Sequence, residues 1–113
     1  MAPKQLARTI GKLALDKNGF DILLLDLRKS SDIAKYFVIV SGSVDVHVRG
    51  IADNIIEGLK AKDIKAWHTE GYNYSQWVLI DYVDVVVHIF QPKIREFYSL
   101  EKLWGDSPVE KIE

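Results

Sequence analysis

Residues 77–90 read WVLIDYVDVVVHIF, an apolar run that carries Asp81, Asp84 and His88 within eight positions. Two carboxylates and an imidazole that close together can supply metal ligands or an acid–base pair. A plainer reading competes: turns favour aspartate, and His88 can pack against Trp77. A second candidate is Ser41-Gly42-Ser43, a turn at a strand-to-helix junction where backbone N–H groups can cradle phosphate. The Gly-x-Gly-x-x-Gly and P-loop spacings are absent there, so a turn with a helix cap suffices. No Gly-x-Ser-x-Gly is present and no serine is tied to a histidine by spacing. His47 and His68 read as structural or surface residues.

The elements that must position these groups follow from periodicity. Pro3, Leu6, Ile10, Leu13 and Ala14 predict an amphipathic helix that stops at Asn18-Gly19. Lys4, Arg8 and Lys12 lie along its other face, a solvated polar stripe. DILLLDL (21–27) and YFVIVSG (36–42) predict two strands. Val44, Val48, Ile51, Ala52, Ile55 and Leu59 predict a second helix, with Ser43 as N-cap and Asp45 in the first turn. IKAWHTEG (64–71) is expected to be a third strand that leaves the core after Trp67. The strand–helix–strand unit should cross over right-handed and leave its two strands parallel. The loop after Glu70-Gly71 offers Tyr72, Tyr74 and Gln76, either as contact groups or as simple loop packing.

WVLIDY (77–82) and DVVVHIF (84–90) predict a tight antiparallel hairpin that Pro92 ends. Ile94, Phe97, Tyr98 and Leu100 suggest a last short helix, followed by Leu103-Trp104 and a polar tail. Turning the hairpin about Tyr82-Val83 sets Asp81 opposite Asp84, Leu79 opposite Val86 and Trp77 opposite His88. Alternation then gives one aliphatic face: Val78, Ile80, Val85, Val87 and Ile89. The other face carries Trp77, Leu79, Asp81, Asp84, Val86, His88 and Phe90. Open to water, its apolar members form a patch of the kind that marks binding surfaces.

Composition narrows the function classes. The chain has 113 residues, 48% of them hydrophobic, enough for one domain with a core of its own. The expectation is a single domain over 1–113, core about 6–104. Without cysteine there is no disulfide and no thiolate site, which suits a reducing cytosol. A net charge of −1 gives no general pull toward nucleic acid. No apolar run approaches the length of a membrane span, and MAPKQLARTIGKL lacks the apolar segment of a signal peptide.

The chain resembles the ribosomal silencing factors, also called the Iojap family, from about Leu6 to Trp104. The stretches that carry the resemblance are YFVIVSG, HVRGIAD (47–53), Glu70-Gly71, WVLIDYVDVVVHIF, Arg95, Phe97-Tyr98 and LEKLW (100–104), in that order and spacing. The resemblance implies a cytosolic protein that binds the large ribosomal subunit through its L-fourteen protein. Bound there, it would block joining of the small subunit and lower translation when nutrients are scarce. Organellar relatives are linked to ribosome assembly. It also implies an α/β fold with a nucleotidyltransferase-like core, without demonstrated transferase activity in the family. Two departures stand out. Val83 occupies a turn position where the family often has glycine, which argues for a loop wider than two residues. VDVHVRG (44–50) is less polar before its histidine than the family pattern.

The combined expectation is a non-enzymatic translation repressor with a mixed, roughly five-stranded sheet flanked by helices, needing no metal and no cofactor. Its partner-binding residues would be Trp77 and Leu79 as anchors, Phe90 as support, and Asp81 and Asp84 facing basic groups. His88 would orient Trp77, with Arg95 and Tyr98 at the border. An exposed patch also admits a homodimer. The rivals are a divergent metal-dependent nucleotidyltransferase using Asp81 and Asp84, a ribosome assembly factor, and direct RNA binding through Lys4, Arg8 and Lys12.

Overall fold

The computed structural model describes residues 1–103 and 105–113, so the expected place of Trp104 after the last helix lies outside the described residues. The elements run α1 (Pro3–Leu15), β1 (Phe20–Asp26), β2 (Tyr36–Ser41), α2 (Asp45–Lys60), β3 (His68–Glu70), β4 (Trp77–Asp81), β5 (Val85–Phe90), α3 (Pro92–Tyr98), α4 (Leu100–Leu103) and β6 (Val109–Ile112). The strands form one mixed sheet in the order β3-β4-β5-β2-β1-β6. Among the described residues only β2 and β5 pair in parallel. It follows that β2 and β3 run the same way, as a crossover through α2 requires, with β4 and β5 between them.

Periodicity explains which face each helix covers. Leu6, Ala7, Ile10 and Ala14 of α1 and Val48, Ile51, Ala52, Ile55 and Leu59 of α2 pack on one face of the sheet. They meet Val38, Val40, Val78, Ile80, Val85, Val87 and Ile89, so the aliphatic face of the hairpin is the helix-covered core. The opposite face is only partly roofed. Ile94 of α3, Leu100 of α4 and the segment from Leu27 to Ala34 cover Phe37, Ile39, Val86 and Phe90. Strands β2 and β5 are therefore buried along their whole length, as central strands between two layers should be.

Several expectations are corrected. The polar tail is a sixth strand, β6, antiparallel to β1 and clasped to α1 by two bonds from Arg8 to the Glu110 carboxylate. That clasp commits the middle member of the Lys4–Arg8–Lys12 stripe. The third strand has three residues rather than eight, and Trp67 is 73% exposed instead of buried. Ser43 does not cap α2: Val44 holds the N-cap position, and the Ser43 N–H donates to His47 Nδ1 at 2.9 Å. His47 Nε2 in turn donates to the Lys17 carbonyl at 2.7 Å, so this histidine ties two turns together. Phe97 faces away from the core, at 80% exposure.

The hairpin has a tighter turn and a different register from those expected. Trp77 pairs with Phe90, Leu79 with His88 and Asp81 with Val86. The connection is only Val83-Asp84, closed by Tyr82 N–H donating to the Val85 carbonyl at 2.9 Å. Val83 sits at φ 74, and the Asp84 N–H reaches back to the Tyr82 carbonyl at 3.0 Å. Together these are the marks of a strained γ-turn, costly for a β-branched residue. Local bonds hold it in place: Asp81 Oδ1 accepts the Val83 N–H at 2.7 Å, and the Asp84 carbonyl accepts from Lys35 and Tyr36.

Candidate docking surface

The second face of β4 and β5 is built around one side chain. Trp77 opens β4, and its indole lies 4.7 Å from the Phe90 ring and 4.8 Å from the Tyr98 ring, centroid to centroid. Its Nε1–H donates to His88 Nδ1 at 3.1 Å. An indole N–H only donates, so Nδ1 must be the acceptor and the neutral ring carries its proton on Nε2. His88 is 4% exposed, edge-on to Phe37 at 4.6 Å. Burial alone pulls its pKa down to about 4, which keeps it neutral at physiological pH. Its Nε2 is buried without a hydrogen-bond partner among the described residues.

This divides the expected site residues. Trp77 and Leu79 are half-buried and Tyr98 is 48% exposed, so all three reach the surface. Phe90 is fully buried beneath Trp77; it supports the patch but is not part of the exposed face. His88 orients Trp77 from below, in the packing position expected of it. Arg95 turns inward instead of bordering the patch. It is 8% exposed, and its Nη1 donates to the Asp21 carbonyl at 2.6 Å and to Ser41 Oγ at 2.8 Å. Asp21 is part of a bulge in β1 at φ 48, so Arg95 bolts α3 to an irregularity of the sheet. Its Nε also bonds Glu101 of α4 at 3.3 Å.

The acids do not form a pair. Asp81 stands across from Val86 and spends one oxygen on the turn, while Asp84 lies in the turn itself. With His88 enclosed by rings, the three groups that suggested a metal do not converge. No group of three or more His, Asp or Glu side chains suited to holding a metal occurs among the described residues. Two clefts, of 680 and 670 Å³, flank this face: one runs from the start of α1 to Val83 and Asp84 of the turn, the other from the β1–β6 edge to Arg95.

One exposed aromatic, Phe97, and one acid, Glu70, lie outside the set of site residues expected from the sequence. Phe97 stands edge-to-face with Tyr98 at 5.1 Å and extends the Trp77 cluster outward. The helical spacing of Ile94 and Phe97 pointed inward, and only the length of α3, less than two turns, hinted otherwise. Glu70, paired with Leu79 across the β3–β4 ladder, supplies an acid beside the patch. The surface thus presents Phe97, Tyr98, Trp77, Leu79 and Asp81, with Glu70 and His68 at the sheet edge.

Comparison with known proteins decides the family. Residues 1–113 match the model of "Ribosomal silencing factor during starvation". The chain belongs to this family. A "Ribosomal silencing factor RsfS" of Bacillus subtilis is 38% identical over 113 residues, covering 100% of this chain and 96% of the relative. The crystal structure of a Chromobacterium violaceum protein superposes with a TM-score of 0.90 at 30% identity, covering 93% of this chain and 88% of the other. A mouse relative, "Mitochondrial assembly of ribosomal large subunit protein 1", is 30% identical over 95 residues, 81% of this chain and 42% of its own length. Family membership makes the protein a ribosome-associated translation regulator. No described helix is long and apolar enough to cross a membrane.

Proposed function

We propose that this protein binds the large ribosomal subunit through its L-fourteen protein and sterically prevents the small subunit from joining, lowering translation under nutrient limitation. The observation that carries the reading is the Trp77 cluster: an indole fixed by His88 and Phe90 and continued to the surface by Tyr98 and Phe97. Preorganised aromatics at a surface are the usual anchors of a protein interface. Asp81 and Glu70 at its margin suit a partner that brings basic side chains. Repression by occupancy needs no catalytic group: one partner covers the surface a second requires.

The test is co-sedimentation with purified large subunits. The wild-type chain is expected to pellet with them and to inhibit their joining to small subunits, and Tyr98→Glu, at an exposed position, to lose both. Failure of the wild-type chain to recover any ribosomal component would overturn the reading. A second reading, a role in large-subunit assembly, is favoured by the name of the mouse relative. It predicts that cells lacking the protein accumulate large-subunit precursors in sucrose gradients.

A further inference from the structure

The loop between β3 and β4, residues 71–76, is more tightly built than an exposed hairpin connection requires. It opens on Gly71 at φ 76, where a Cβ would lie 2.1 Å from the Trp77 carbonyl oxygen, so only glycine fits. Ser75, fully buried at φ 59, closes it with a bond from its N–H to the Gly71 carbonyl at 2.9 Å. Ser75 Oγ donates to the Tyr72 carbonyl at 2.6 Å and accepts from Arg49 Nη1 of α2 at 2.9 Å. The Ser75 carbonyl accepts from the Gln91 side chain at 3.2 Å, and that amide also donates to Asp45 of α2. Tyr72 is tied by its hydroxyl to Asp53 Oδ1 at 2.8 Å. Between these anchors Asn73 and Tyr74 are exposed, and Tyr74, at 84% exposure, is the aromatic of the two.

A large aromatic held at the tip of a pinned loop contributes nothing to the fold that repays its exposure. It is what a preorganised contact residue looks like, because little freedom is lost when a partner covers it. Trp77 follows three residues later, so the two Cα atoms lie within about 11 Å. We infer that Tyr74 is a second anchor of the docking surface, reaching the same protein partner as Trp77, and that Arg49 is the positioning residue that holds its loop through Ser75. The inference rests on the proposed ribosomal docking function. It divides the two loop tyrosines: Tyr72 serves the loop and Tyr74 serves the partner.

Affinity for purified large subunits, measured by titration with labelled protein, tests it. Tyr74→Ala is expected to weaken binding about tenfold with an unchanged thermal midpoint. Arg49→Ala is expected to weaken it severalfold, and Arg49→Lys to restore part of the loss. Once Tyr74 is alanine, Arg49→Ala should cost no further affinity, a coupling that a merely structural arginine would not show. Wild-type affinity in Tyr74→Ala, alongside loss in Tyr98→Glu, would overturn this inference and leave the docking function standing. Additive losses in the double variant would overturn the role given to Arg49. Absence of wild-type binding would overturn both readings.

Discussion

The Trp77 indole N–H and His88 Nδ1 meet at 3.1 Å, diagonally across the β4–β5 ladder. A half-buried surface residue is thereby oriented by a buried neutral imidazole, and the orientation depends on that imidazole staying neutral.

Stability should fall in mild acid because of His88. Its folded pKa is about 4, against an ordinary 6.5. Between those values the unfolded chain binds a proton that the folded chain refuses, so stability declines as pH drops from 6.5 toward 4. The full window is worth on the order of 3 kcal/mol. His88→Gln keeps an acceptor for the indole but does not titrate. Urea denaturation at pH 7 and pH 4.5 should show a smaller difference for the variant than for the wild type. Equal differences would assign the acid sensitivity to other groups.

Trp77→Phe retains the ring contacts and removes the donor to His88. Leaving a buried acceptor unpaired costs about 1–3 kcal/mol, and subunit affinity should fall with it. Phe97→Glu touches nothing in the core, so its stability should stay within about 0.5 kcal/mol of wild type while subunit binding drops at least about tenfold. Denaturation and co-sedimentation on the same two variants separate folding from docking. Unimpaired binding by Phe97→Glu would remove that ring from the surface.

Arg95→Ala should destabilise by about 2–4 kcal/mol, since it strands the Ser41 hydroxyl and the Asp21 carbonyl and frees α3 and α4 from the sheet. Tyr98 rides on α3, so binding should weaken beyond what unfolding explains. Near-UV circular dichroism of the aromatic cluster at a temperature where the variant remains folded reports that displacement; an unchanged spectrum would argue against it.

Val83→Gly should stabilise the chain by about 1 kcal/mol, because glycine adopts φ 74 without the strain a β-branched side chain carries there. Equilibrium denaturation checks the sign. A destabilised variant would mean that the exposed valine side chain contributes more than its backbone costs.

Much of this architecture was legible because side-chain alternation is hard to disguise. Val78, Ile80, Val85, Val87 and Ile89 declare a core face in any register that keeps parity, and the observed register differs from the expected one by two residues. The difference arose at Val83, where ordinary sterics argue for a wider loop, while Asp81 and the Lys35 and Tyr36 amides hold the strained turn. Arg95 was read as a surface cation because nothing local announces that a bulge fifty or more residues away offers it acceptors. The β6 tail was read as polar because edge-strand hydrogen bonds leave little hydrophobic signature. The surface placement of Trp77, Leu79 and Tyr98 was legible from alternation and helical spacing. Tyr74 stood among three loop residues that sequence alone did not rank.

The parallel seam between β2 and β5 bears on how the chain reaches this state. β1–β2 and β4–β5 are antiparallel pairs of near neighbours and can form locally, each on its own. Joining them along the seam closes a loop of about forty residues through α2, an entropic cost met before its contacts repay it. The seam should therefore mark the folding barrier. Val38 and Val87, facing each other across it, should show higher φ-values on truncation to alanine than Ile22 at the β1–β6 margin. The order of assembly is then two hairpins first, their union second, and the Glu110 clasp last.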